Sequence, residues 1–154
     1  MRWNEYFFSI IDVIKQKSKD PSTQVGALIV SEENQILSAG YNGFPRGVND
    51  KIESRYERPD KYLWTVHAET NAIYAAANNG IKLSGTKIYM QWHPCAGCAG
   101  AIIQAGITKV IIDGAHFSYD KLTAKDERWL KDFEIAKQMF EESGTTIYII
   151  PKMV

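Results

Sequence analysis

The stretch Thr86-Lys87-Ile88-Tyr89-Met90-Gln91-Trp92-His93-Pro94-Cys95-Ala96-Gly97-Cys98, running on through Gly106 to Lys109-Val110-Ile111-Ile112, decides how the chain folds. Ile88 and Met90 alternate with their neighbours, so Thr86 to Gln91 predicts a strand. Pro94-Cys95 opens a helix, because proline is tolerated in the first helical turn, and Gly106 stops it. Lys109 to Ile112 is then a short strand with the apolar run of a buried one.

Working upstream, a helix opens at about His67 and ends before Gly80. Val25 to Val30 and Gln35 to Ala39 read as two strands joined by the polar turn Ser31-Glu32-Glu33-Asn34. Trp3 to Lys17 predicts a helix whose apolar face carries Trp3, Tyr6, Phe7, Ile10, Val13 and Ile14. It breaks at Ser18 to Ser22, where Pro21 biases Asp20 away from the helical region. Gly40 to Tyr62 is long and poorly patterned, where a functional loop is expected. Downstream, Asp126 to Glu142 is amphipathic through Trp129, Phe133, Ala136 and Phe140, and Thr146 to Ile150 is the last strand. Strands and helices alternating in this way predict an α/β domain, a three-layer α/β/α sandwich. Its sheet has five strands and is mixed, because of the early hairpin. One domain spans 1–154, and the large aromatic residues such as Trp3 and Trp129 are expected in its core.

The composition narrows the function. Eighteen Lys and Arg balance 18 Asp and Glu, which disfavours a protein that lives on polyanions. A local basic pocket for one small phosphorylated ligand remains compatible with it. At 154 residues and 45% hydrophobic content the chain can build a core, and disorder is excluded. No apolar run approaches the ~20 residues of a membrane helix, and no signal peptide is apparent. Two cysteines make no disulfide framework. A soluble, reducing, cytoplasmic setting is expected.

Two motifs carry chemistry: His67-Ala68-Glu69 and Pro94-Cys95-Ala96-Gly97-Cys98. Cys-x-x-Cys alone is ambiguous between half of a structural zinc site, a redox pair and two buried small residues. Four protein ligands are needed to close a structural zinc, and only His93 and His116 remain as further imidazoles. Adding His67 gives one imidazole and two thiolates, with the fourth position left for water, the layout of a catalytic zinc. Glu69, two residues from a ligand, can sit over that water and move protons without binding the metal. Both motifs fall at predicted helix N-termini, where the dipole and unpaired amides favour thiolates. The combination resembles the signature of the zinc nucleobase deaminases, His-x-Glu followed by Pro-Cys-x-x-Cys.

Beyond those motifs, the chain resembles the deoxycytidylate (dCMP) deaminase branch of the cytidine deaminase superfamily. The segments that carry the resemblance are Ser18-Lys19-Asp20-Pro21-Ser22-Thr23-Gln24-Val25-Gly26-Ala27, the loop Gly40-Tyr41-Asn42-Gly43-Phe44-Pro45-Arg46-Gly47, and the extensions of the two zinc helices. Together they cover roughly residues 5 to 112. The resemblance implies a cytidine deaminase-like fold and hydrolysis of dCMP to dUMP, with His67, Cys95 and Cys98 on one zinc and Glu69 as proton shuttle. It implies Asn42 at the sugar, the Ala68 amide at the pyrimidine carbonyl, and Lys19 and Arg46 near phosphates. Tyr119 is the candidate for a substrate-contacting tyrosine. Many members of the branch are homohexamers regulated by dCTP and dTTP, and Tyr41, Gly43 and Arg46 fall on the effector loop, where Mg2+ would accompany a triphosphate. With no cysteine to spare, one Zn2+ per subunit is expected. Three alternatives stay open: another free cytosine nucleotide as substrate (dCTP, CMP or a modified dCMP), a tRNA or other nucleic-acid base deaminase, and a zinc-stabilised binding module without turnover.

Overall fold

The computed structural model describes residues 1–123 and 126–152. Residues 124–125, inside the 113–125 segment, and the last two of the expected 1–154 span lie outside the described residues. Helix α1, Trp3–Ile14, runs into a 3-10 turn at Lys15–Lys17. Strands β1, Gly26–Val30, and β2, Ile36–Tyr41, form the expected hairpin, and single-turn α2, Lys61–Trp64, lies in the long connection after it. Then come α3 (Ala68–Asn78), β3 (Lys87–Met90), α4 (Ala96–Gln104), β4 (Lys109–Asp113), α5 (Glu127–Ser143) and β5 (Thr146–Ile150). The sheet order is β2-β1-β3-β4-β5. The β1 strand is antiparallel to both its neighbours, whereas β3, β4 and β5 are parallel, so the sheet is mixed.

Strand alternation sorts the core into two layers. Ala27, Ile29, Ile88, Met90, Val110 and Ile112 point to the side that α3, α4 and α5 cover with Ala72, Ile102 and Phe133. Leu28, Val30, Tyr89 and Ile111 point the other way, onto Phe7 and Ile11 of α1. Here the sequence expectation needs correcting. Phe7 and Ile11 are fully buried, while Trp3 is 56% and Val13 66% exposed. Trp3 is therefore not a core residue. The stripe that meets the sheet is Phe7, Ile11 and Ile14, and Trp3 lies alongside it, stacked on Phe7 at 5.6 Å.

The parallel half of the sheet positions the site. The C-terminal end of β3 leads through Trp92-His93-Pro94 into α4, and α3 packs beside it over β1 and β2. One buried ion pair closes the entrance to β1. Lys61 of α2 lies 2.9 Å from Asp20, with side-chain exposures of 6% and 3%. Burial pushes the Asp20 carboxyl up. The Lys61 ammonium and the amides of Ser22 and Thr23 more than reverse this, so it sits below the ordinary carboxylate range. A carboxyl lowered in the folded state contributes stability that is complete above its unfolded value, near 3.9, and lost as pH falls through the folded one. Stability should therefore drop as pH falls below about 4, and Asp20→Asn should flatten that limb. At neutral pH the same change should cost about 3–5 kcal/mol, because Lys61 is left charged and unpaired. Urea titrations of both proteins between pH 3 and 7 measure this, and parallel pH profiles would contradict it.

Candidate active site

His67 is the N-cap of α3 and Cys95 the N-cap of α4, so both motif-bearing loops aim the starts of their helices at one point. His67 Nδ1 lies 3.6 Å from Cys95 Sγ and 3.3 Å from Cys98 Sγ. The three donor atoms all fall within 4.8 Å of one another, the only such metal-capable group among the described residues. Zinc bonds of about 2.0–2.1 Å to nitrogen and about 2.3 Å to sulfur, at tetrahedral angles, set N and S about 3.6 Å apart. The observed separations match that spacing, so the donor set fits one zinc with a fourth position open. Neither further imidazole joins it: His93 Nδ1 contacts the Pro94 carbonyl at 2.9 Å and His116 pairs with Asp113.

The electrostatics suit thiolate ligands. Contact with Cys98, the His67 imidazole and the Cys98 amide, which donates to Cys95 Sγ at 3.4 Å, hold the Cys95 thiol down to about 4. Contact with Cys95 and burial push the Cys98 thiol up. Glu69, in the first turn of α3, is only 8% exposed, and burial pushes its carboxyl above the ordinary range. Asp132 of α5 accepts from the Ala96 amide at 2.7 Å and so anchors the first turn of α4. Sequence reading missed Asp132, because a lone acid on an amphipathic helix reads as solvent-facing.

These groups open into a cavity of about 320 Å³. Its lining includes His67, Ala68, Glu69 and Cys95, together with the aromatic rings of Trp92, His93, Trp129 and Phe133. Two buried polar atoms have no hydrogen-bond partner among the described residues, Thr65 Oγ1 and His93 Nε2, and both residues line this cavity. Buried polar groups are nearly always satisfied, so these two atoms offer hydrogen-bonding capacity to whatever polar group enters the cavity.

The sequence-predicted binding residues divide. Asn42 and Ala68 line the cavity. The Asn42 side chain also ties down the β1 entrance, accepting from Val25 N and donating to Thr23 O, both at 2.8 Å. Lys19 does not reach the cavity wall; it pairs with Asp50 at 2.7 Å on the surface. Tyr119 is also outside the wall, packed behind it against His93 and Phe117 at 5.6 and 5.2 Å. Phe117 takes the inward position there and is 1% exposed. Tyr41, the last residue of β2, and Arg46, on the loop after it, are exposed and outside the cavity wall, and Gly43 pairs with Val66. The cations that do line the cavity are Arg58 and Lys61, in the stretch that carried no pattern.

Residues 1–113 match the zinc-binding region of the cytidine and deoxycytidylate deaminases, and the chain belongs to that family. It is 38% identical over 158 residues to the human deoxycytidylate deaminase, covering 99% of this chain and 82% of the human one. It is likewise 38% identical over 152 residues to an uncharacterized deaminase from the luxG 3′ region of Aliivibrio fischeri, covering 97% and 95%. In fold it resembles the dCMP deaminase of cyanophage S-TIM5, solved with dCMP and dUMP, with a TM-score of 0.70, 24% identity and 95% of both chains covered.

Proposed function

We propose that the protein is a zinc-dependent dCMP deaminase, converting dCMP and water to dUMP and ammonia. The observation that carries this reading is the convergence of His67, Cys95 and Cys98 beside a cavity that His67, Cys95 and the buried Glu69 line. Relatives named deoxycytidylate deaminase at 38% identity supply the substrate. His67, Cys95 and Cys98 hold one zinc per chain. Zinc, when bound, lowers the pKa of a water toward about 7 and so provides a nucleophile at neutral pH. Glu69 takes one proton from the water as the oxygen bonds to C4 and passes it to ring N3. It then takes the second proton from the new C4 hydroxyl and gives it to the amino group, so that ammonia leaves and the C4 carbonyl forms as the C4–N bond breaks. Burial favours the protonated form of Glu69 and so helps it hold a proton between those transfers. The Ala68 amide, in the first turn of α3 where helical acceptors are absent, receives the pyrimidine carbonyl. Asn42 faces the sugar with the hydrogen-bonding capacity that Val25 and Thr23 leave free.

By the same resemblance the enzyme is a single domain forming a homo-oligomer, a hexamer, in the cytoplasm, where its free thiols stay reduced. The segment carrying Tyr41, Gly43 and Arg46 then takes a dCTP or dTTP effector with Mg2+. No helix among the described residues is long and apolar enough to cross a membrane. A turnover panel of dCMP, CMP, dCTP, deoxycytidine and single-stranded RNA, with and without dCTP or dTTP, tests this reading. dCMP should give the highest kcat/KM, and a preference for RNA or for the unphosphorylated nucleoside would overturn it.

A further inference from the structure

The chain balances 18 cations with 18 anions, yet two arginines, one lining the cavity and one stacked on a residue that lines it, have no ion pair among the described residues. Arg58 lines the cavity; its Nε–H donates to Tyr62 Oη at 2.8 Å, which fixes one edge of the guanidinium. Its two Nη groups make no hydrogen bond or ion pair among the described residues. Arg128, in the first turn of α5, lays its guanidinium carbon 3.7 Å from the centroid of the same Tyr62 ring and 5.2 Å from that of Trp129. It too has no ion pair among the described residues. The nearby acids of the wall are engaged elsewhere. Asp20 holds Lys61, and Asp126 accepts from the amide and hydroxyl of Thr123 at 2.8 and 2.9 Å. The phenol of Tyr62 registers the result. Burial alone would raise it, but Arg58, Arg128 and Lys61 together draw it below its ordinary value.

Two like charges gathered on one ring repel each other unless an anion joins them. We infer that Arg58 and Arg128 form a clamp around Tyr62 that takes the phosphate of a nucleotide monoester, and so make the site selective for monophosphates over nucleosides. The inference rests on the dCMP reading above and names residues that sequence patterning did not suggest. A monoester dianion matches two guanidiniums in charge, and the planar fork of arginine matches phosphate oxygens in pairs. Arg128, with Trp129 beside it, lies beyond residues 1–113, so the chain's own C-terminal helix supplies half of the clamp.

Steady-state kinetics of the zinc-loaded enzyme with dCMP and deoxycytidine test it, using Arg58→Gln, Arg128→Gln and the double variant. The ratio of kcat/KM for dCMP to that for deoxycytidine should fall about tenfold to a hundredfold for each arginine, the size of one lost charge-assisted hydrogen bond, and mainly through KM. Arg58→Lys, which keeps the charge, should recover part of the loss. A ratio unchanged within about twofold in the double variant overturns the clamp, and this includes the case where a packing defect lowers both substrates together. A wild-type enzyme that turns over no cytosine nucleotide would instead overturn the deaminase reading itself.

Discussion

Glu69→Gln should lower kcat for dCMP by at least about a thousandfold while leaving the zinc in place. General acid–base catalysis by one positioned group is worth about 10²–10⁴, and here one carboxylate serves the attacking water, the ring nitrogen and the leaving amine in turn. Glutamine has the same shape but cannot carry a proton between those positions. The metal should remain, because Glu69 is not one of the three donors that converge within 4.8 Å. Folding should not suffer either: Glu69 is 8% exposed, and a neutral amide costs less to bury than a carboxylate. Two measurements on the same preparation decide it, the rate of ammonia release and the zinc content by atomic emission. The expected pair is near-zero turnover with about one zinc per chain. Turnover within tenfold of wild type would remove Glu69 as the proton carrier. Loss of zinc would make it a ligand, and two zinc ions per chain would contradict the single site.

The parts of this site that were legible in the sequence are those whose chemistry is local. His67 and Glu69 lie two residues apart at a helix start, and Cys95 and Cys98 three apart at another, so spacing and residue type alone brought them together. The alternating strand residues were legible for the same reason. What was not legible depends on partners distant in the chain. Lys19 carries the charge a phosphate needs, but its partner Asp50 is 31 residues away and holds it on the surface. Arg58, Tyr62 and Arg128 meet only because α2 and the first turn of α5 reach the cavity from separate segments. Tyr119 lies outside the cavity wall while Phe117, two residues earlier, is buried, a choice between two aromatic residues that periodicity does not make. In α1 the apolar count was right and the face was not. Trp3 and Val13 are as apolar as Phe7 and Ile11, but the sheet has room only for the stripe directly over Leu28 and Tyr89.

The second large effect should come from a residue that touches no ligand. Gly40 lies in β2, opposite Ala27 of β1, where α3 crosses the sheet. A Cβ there would stand 2.3 Å from the Ala68 carbonyl oxygen and 2.4 Å from the Ala72 amide nitrogen. Both are backbone atoms of the first turns of α3, so no side chain can swing away to relieve the clash. Ordinary contact begins near 3.4 Å, so Gly40→Ala must displace the start of α3 by about 1 Å or open the strand. His67 and Glu69 ride on that turn, whereas Cys95 and Cys98 are held by α4 and anchored through Asp132. The displacement would therefore pull the imidazole away from the thiols and the carboxylate away from the reacting carbon. A shift of that size can cost about 10²-fold in rate, and overpacking a buried contact costs about 1–3 kcal/mol or more. Gly40→Ala should thus lower kcat for dCMP at least about a hundredfold, weaken zinc retention against a chelator, and lower Tm. Near-normal turnover and zinc retention would mean that the close approach of β2 to α3 does not set the geometry of the site.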